Sequence, residues 1–171
     1  MPAVVIVMFA LGVMVIESVL LQAFSIQTLT FQTPLVVAIV VGLDREFVSG
    51  GLILATLLFP IEWLVGGVFG AYSLGLVAVF FAMRSLRPNL QALWGLARGV
   101  VAAVAALCHG VWMLVVLRVT GVSAGGLDIG VAWRTVLAAV VVAVTAVVVG
   151  KTFARFDQMM DPHRRHSGLE L

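Results

Sequence analysis

Long apolar runs succeed one another along this chain with little that is polar between them. The first, Ala3 to Ala23, is interrupted only by Glu17. A helix that crosses a bilayer needs about 20 predominantly apolar residues, so this run is long enough by itself. An uncharged polar stretch from Phe24 to Thr33 follows, and Pro34 opens a short apolar run that ends near Leu43 and is closed by Asp44-Arg45-Glu46. A third segment, Phe47 to about Pro60, begins with a Ser49-Gly50-Gly51 step. Glu62 and Gly66-Gly67 separate it from a fourth, about Val68 to Met83, after which Arg84 and Arg87-Pro88-Asn89 read as a break. Leu96 to Leu117 and Val131 to Gly150 are the fifth and sixth runs, with a glycine-rich loop between Gly121 and Gly130. A polar tail, Lys151 to Leu171, completes the chain.

Hydrophobic residues make up 63% of the 171 and charged residues 11%, and the mean hydropathy is +1.20. A soluble domain holds about 45–50% apolar and about 25% charged residues. So few charges cannot coat a water-facing surface, and disorder needs the opposite balance. The expected class is an all-α integral membrane protein, with a transmembrane domain over residues 1–150 and a short basic tail over 151–171. Met1 to Phe24 lacks a charged leading region and is longer than the apolar core of a signal peptide, so no cleavable signal is expected.

Hydropathy alone leaves the number of crossings at five or six, because the second and third segments are short. Charge separates the two options. With six crossings and both ends in the cytoplasm, the inner side receives Arg45, Arg84, Arg87, Arg98, Lys151, Arg155, Arg164 and Arg165, and the outer side only Arg118 and Arg134. Eight against two is a strong positive-inside bias. Merging segments two and three would put Arg84, Arg87 and Arg98 opposite the basic tail, so six crossings is the better reading. The net charge of +2 then reflects topology, and no nucleic-acid partner is expected.

Ionisable groups inside a membrane segment are costly, which makes each one a functional candidate. Glu17 is a proton or ligand site on one reading, and on the other a structural partner of Arg118 or Arg134 or a side chain that snorkels to the interface. Glu62 is followed at four-residue spacing by Gly66 and Gly70. Small residues four apart share a helix face and let a second backbone approach, so the three form a candidate partner-binding or helix-packing patch. His109 sits mid-segment beside the single cysteine, Cys108, and reads as a packed histidine or a proton relay. Trp63, Trp94 and Trp133 lie near segment ends, as an interfacial belt requires, while Trp112 is deeper and is expected to pack on another helix. The tail mixes Phe153 and Phe156 with Lys151, Arg155, Arg164 and Arg165, which suits contact with the lipid bilayer, or a stop that only fixes orientation. One cysteine and three scattered histidines offer no disulfide and no metal site, and no cofactor is expected. There is no GxSxG, HExxH or Walker lysine motif, so no enzymatic activity is expected.

The stretch Phe31 to Met83 resembles the rod shape-determining protein MreD family. The resemblance rests on an uncharged outer loop leading into Phe31 and Pro34, a short apolar helix, and the polar break Asp44-Arg45-Glu46. A glycine-containing segment follows, and then the acidic-to-glycine step Glu62, Gly66 and Gly70. The family more often has Asp at the place of Glu62 and glycine where this chain has Phe59-Pro60. The resemblance implies a non-enzymatic scaffold of the bacterial inner membrane with both termini cytoplasmic. Its implied partners are a bitopic MreC-like protein, a RodA-type glycosyltransferase and a class B penicillin-binding protein, with MreB-like filaments at the cytoplasmic face. It also implies a fold similar to the substrate-binding subunits of energy-coupling-factor transporters.

That similarity supplies an alternative, a solute-binding subunit of a vitamin transporter. Its candidate polar residues are Gln22, Gln27, Gln32, Glu62, Arg118 and Asp128. A proton-coupled carrier would instead need Glu17 and His109 to face one aqueous path.

Overall fold

The structure, a computed structural model, describes residues 3–23, 33–65, 69–90, 95–121 and 129–160. These form six helices: α1 (Ala3–Ala23), α2 (Thr33–Asp44), α3 (Phe47–Val65), α4 (Ala71–Leu90), α5 (Gly95–Val119) and α6 (Ile129–Met160). No strand occurs among the described residues. Three windows, Phe47–Leu64, Ala97–Val119 and Thr135–Thr152, are long and apolar enough to cross a membrane. The chain is therefore an all-helical protein built for a lipid environment.

Three helices run further than the apolar pattern predicts. α3 does not stop at Pro60 but continues to Val65. Proline removes one backbone bond, yet Leu57 and Ile61 on either side are wholly buried, and that packing carries the helix through. α4 likewise passes Arg84, Arg87 and Pro88 to reach Leu90. The two arginines there are held by a carbonyl of another segment and do not mark a break. The first ten residues assigned to the tail, 151–160, extend α6 as helix.

α2 is the organising element. Every residue from Pro34 to Leu43 is buried, and a helix that is apolar on all sides belongs inside others. At twelve residues it is about 18 Å long, well short of a hydrocarbon core of about 30 Å. Neighbouring helices cover it in place of lipid. α2 packs against all five other helices, while α1 meets α3, α3 meets α4, α4 meets α5 and α5 meets α6. The five form an open ring round α2, because α1 and α6 are not in contact among the described residues.

The helices alternate in direction, which the bonds at the two ends of the bundle make plain. At one end, Arg84 Nη1 and Arg87 Nη1 donate to the Arg45 carbonyl at 2.6 and 2.9 Å, and Arg98 Nη1 lies 3.3 Å from Asp44 Oδ1. Gly150 of α6 is beside the same Asp44. At the other end α1 meets the start of α2, α3 meets the start of α4, and Gly110 of α5 lies against Thr135 near the start of α6.

Close helix crossings use glycines that spacing did not single out. A Cβ on Gly110 would stand 2.7 Å from Thr135 Cγ2, and one on Gly42 would stand 3.0 Å from Met83 Cβ. Where dispersion and packing drive association in lipid, such positions set how near two helices can come.

Candidate functional site

The two glutamates inside the apolar segments have the same job. The first amides of any helix lack an intrahelical acceptor, and the helix dipole makes that end attractive to an anion. α4 begins after Gly70, which has no side chain with which to cap it. Glu62, near the end of α3 and only 7% exposed, supplies the missing acceptor. Its Oε2 accepts the Gly70 N–H at 3.0 Å and its Oε1 the Ser73 N–H at 2.8 Å. The first turn then closes with Leu74 N–H on the Gly70 carbonyl at 2.9 Å. Gly70 stands at φ 87°, a left-handed conformation that a glycine adopts without strain.

Glu17 does for α2 what Glu62 does for α4. Its Oε2 accepts the Thr33 N–H, the first amide of α2, at 3.3 Å. Pro34 follows and has no N–H to satisfy, which suits the second position of a helix. Of the two arginines expected as partners, Arg118 is exposed, and the side chain of Arg134 lies outside the described residues.

Glu62 and Gly70, which the four-residue spacing placed on one face, do not share a helix. α3 ends at Val65, Gly70 is in the turn, and Gly66 lies outside the described residues. Across this connection the Glu62 carboxylate reaches the first amides of the next helix. An acidic side chain eight residues before a glycine that opens an apolar helix is the sequence signal for this arrangement.

His109 is 5% exposed, and its ring is tilted on that of Tyr72 with centroids 4.8 Å apart. Its Nε2 is buried and has no hydrogen-bond partner among the described residues. Gly75 makes room for it: a Cβ there would stand 3.3 Å from His109 Cε1 and 2.9 Å from Trp112 Cδ1. Trp112 packs across to α4 as expected, its Nε1 donating to the Ala71 carbonyl at 3.0 Å. Trp112→Phe should remove this bond while keeping the ring. The expected loss is about 1 kcal/mol, read from the thermal unfolding of the purified protein.

Trp63 and Trp133 are exposed, while Trp94 lies outside the described residues. Phe59 and Trp63 face outward together on α3 with ring centroids 6.4 Å apart, and Phe69 is exposed in the turn that follows. Of the polar residues considered for solute binding, Gln27, Gln32, Asp128 and the side chain of Gln22 lie outside the described residues. Among the described residues, no three His, Cys, Asp or Glu side chains converge as a metal site would require.

No family model, no curated protein and no solved structure matches this chain.

Proposed function

We propose that this chain is a six-crossing scaffold of the bacterial inner membrane, with both termini cytoplasmic, that serves the rod-shape complex as the MreD resemblance implies. The observation that carries the reading is the joint between Glu62 and Gly70. It lies within the stretch that bears the resemblance, and its chemistry is architectural: each carboxylate oxygen accepts a backbone N–H of α4. The joint holds a helical hairpin that presents Phe59 and Trp63 outward on α3 and Phe69 outward in the turn. Large aromatic side chains dominate contact energetics. The gathering of Arg45, Arg84, Arg87 and Arg98 at one end supports an orientation with that end in the cytoplasm.

The test is affinity purification of the tagged protein, at native level and in mild detergent, with mass spectrometry of what is retained. The reading expects an MreC-like protein together with the RodA-type glycosyltransferase and its penicillin-binding partner. The double variant Phe59→Ala/Trp63→Ala should lose them while remaining inserted, because neither residue contributes to the cap. Variants at Gly70 are unsuitable, since any side chain there strains the turn and tests folding. The buried, unpartnered Nε2 of His109 favours one other reading, a solute-binding subunit similar to those of energy-coupling-factor transporters. Recovery of an ATPase pair with a coupling subunit, or of a stoichiometric small molecule, would replace the scaffold reading with that one.

A further inference from the structure

The end of the bundle opposite the capped glutamates carries more positive charge than its own acids balance. Among the described side chains nearest this end, Arg45, Arg84, Arg87, Arg98 and Lys151 stand against Asp44 and Glu46, five against two. The geometry sharpens the imbalance. Arg84 and Arg87 each direct an Nη1 at the same oxygen, the Arg45 carbonyl, at 2.6 and 2.9 Å. Two guanidinium groups sharing one neutral acceptor must lie close together, and like charges so placed repel. An anion set between them would turn that repulsion into attraction. Each guanidinium has five N–H donors in a planar fork that fits two oxygens of a phosphate. The Nε of Arg87 is buried and has no hydrogen-bond partner among the described residues.

What lies beside the arginines narrows the choice of anion. Phe47, two residues after Arg45, and Phe81, one turn before Arg84, are both half exposed and stand 5.9 Å apart between ring centroids. Val48 next to Phe47 is more exposed still. A cationic fork directly adjoining an open apolar and aromatic surface, at the end of a lipid-embedded bundle, matches a molecule with a phosphate head and an acyl tail. Inorganic phosphate would use the fork and leave the apolar surface bare. We infer that the Arg84–Arg87 fork, with Phe47 and Phe81 beside it, binds the headgroup phosphate of an anionic phospholipid and holds its acyl chain along the adjoining face of α3 and α4.

The test is native mass spectrometry of the full chain in detergent, titrated with phosphatidylglycerol and, separately, with phosphatidylcholine. The site predicts retained phosphatidylglycerol adducts at concentrations where phosphatidylcholine gives none. Arg84→Gln/Arg87→Gln should weaken that binding about thirtyfold, from the usual contribution of two basic residues at an anionic membrane surface. Arg155→Gln, which removes a charge outside the cluster, should leave it unchanged. If the glutamine pair fails to fold, Arg84→Lys/Arg87→Lys keeps the charge and loses the fork, and should bind more weakly than wild type. Equal adducts with the two lipids, or an undiminished preference in the folded double variants, would overturn the inference. So would displacement of the lipid by millimolar inorganic phosphate, because the site would then recognise a free anion.

Discussion

Glu62→Ala should lower stability by about 3 kcal/mol, the sum expected when two partly buried amides lose a charged acceptor. The Gly70 and Ser73 N–H groups would be left facing an apolar space, and α4 would lose the anion at its positive end. Glu62→Gln keeps one oxygen acceptor and should lose about half as much. Glu62→Asp keeps the charge and shortens the reach by one methylene, so its loss should be smaller than that of alanine. Thermal unfolding followed by the helical circular dichroism signal, in one detergent for all variants, orders the series. An alanine variant as stable as wild type would mean that the cap contributes nothing.

Gly42→Leu should be about as damaging, at about 3 kcal/mol, the upper end of what overpacking costs. Gly42 is on α2, the helix enclosed by the other five. A Cβ there already meets Met83 Cβ at 3.0 Å and the Phe80 carbonyl at 3.1 Å, and a backbone carbonyl cannot rotate out of the way. The added side chain can be fitted only by pushing α2 away from α4, which opens the core on its other sides. Gly12→Leu is the control, since nothing lies within 4 Å of the position a Cβ would take there. It should unfold within about 0.5 kcal/mol of wild type, as surface substitutions usually do. The same melts, with recovery of each variant from the membrane fraction, compare the two.

The apolar runs make the helices legible, and for α1 the sequence bounds and the structural bounds are the same residues, Ala3 and Ala23. Helix ends are harder wherever a proline or an arginine intervenes. Pro60 and the Arg84 to Pro88 stretch carry the composition of a break, but neighbouring segments supply what a break would need. Leu57 and Ile61 anchor α3 on both sides of the proline, and the Arg45 carbonyl receives the arginines. The shortness of the second run is visible in the sequence, but its central position is not. That position follows from its having no polar face, which a twelve-residue run shows only weakly.

The two glutamates stand out in the sequence because they are charged and lie among apolar residues. The backbone N–H groups they meet at the starts of α2 and α4 do not, because a main-chain donor leaves no mark in a pattern of side chains. The same limit applies to glycine. Spacing drew attention to Gly66 and Gly70, whereas the close crossings involve Gly42, Gly75 and Gly110. With seventeen glycines in the chain, only the neighbour each one meets distinguishes a crossing from a turn.

The scaffold proposal depends on one arrangement, that the capped-glutamate end and the arginine end face opposite sides of the membrane. Single-cysteine labelling tests it most directly, after Cys108 has been changed to serine. Cysteines are introduced one at a time at Phe69, exposed in the turn beside Glu62, and at Glu46, exposed between Arg45 and α3. In intact spheroplasts a membrane-impermeant maleimide should label Phe69→Cys at once, and Glu46→Cys only after the membrane is permeabilised. Labelling of both from outside, or of neither, would contradict the arrangement.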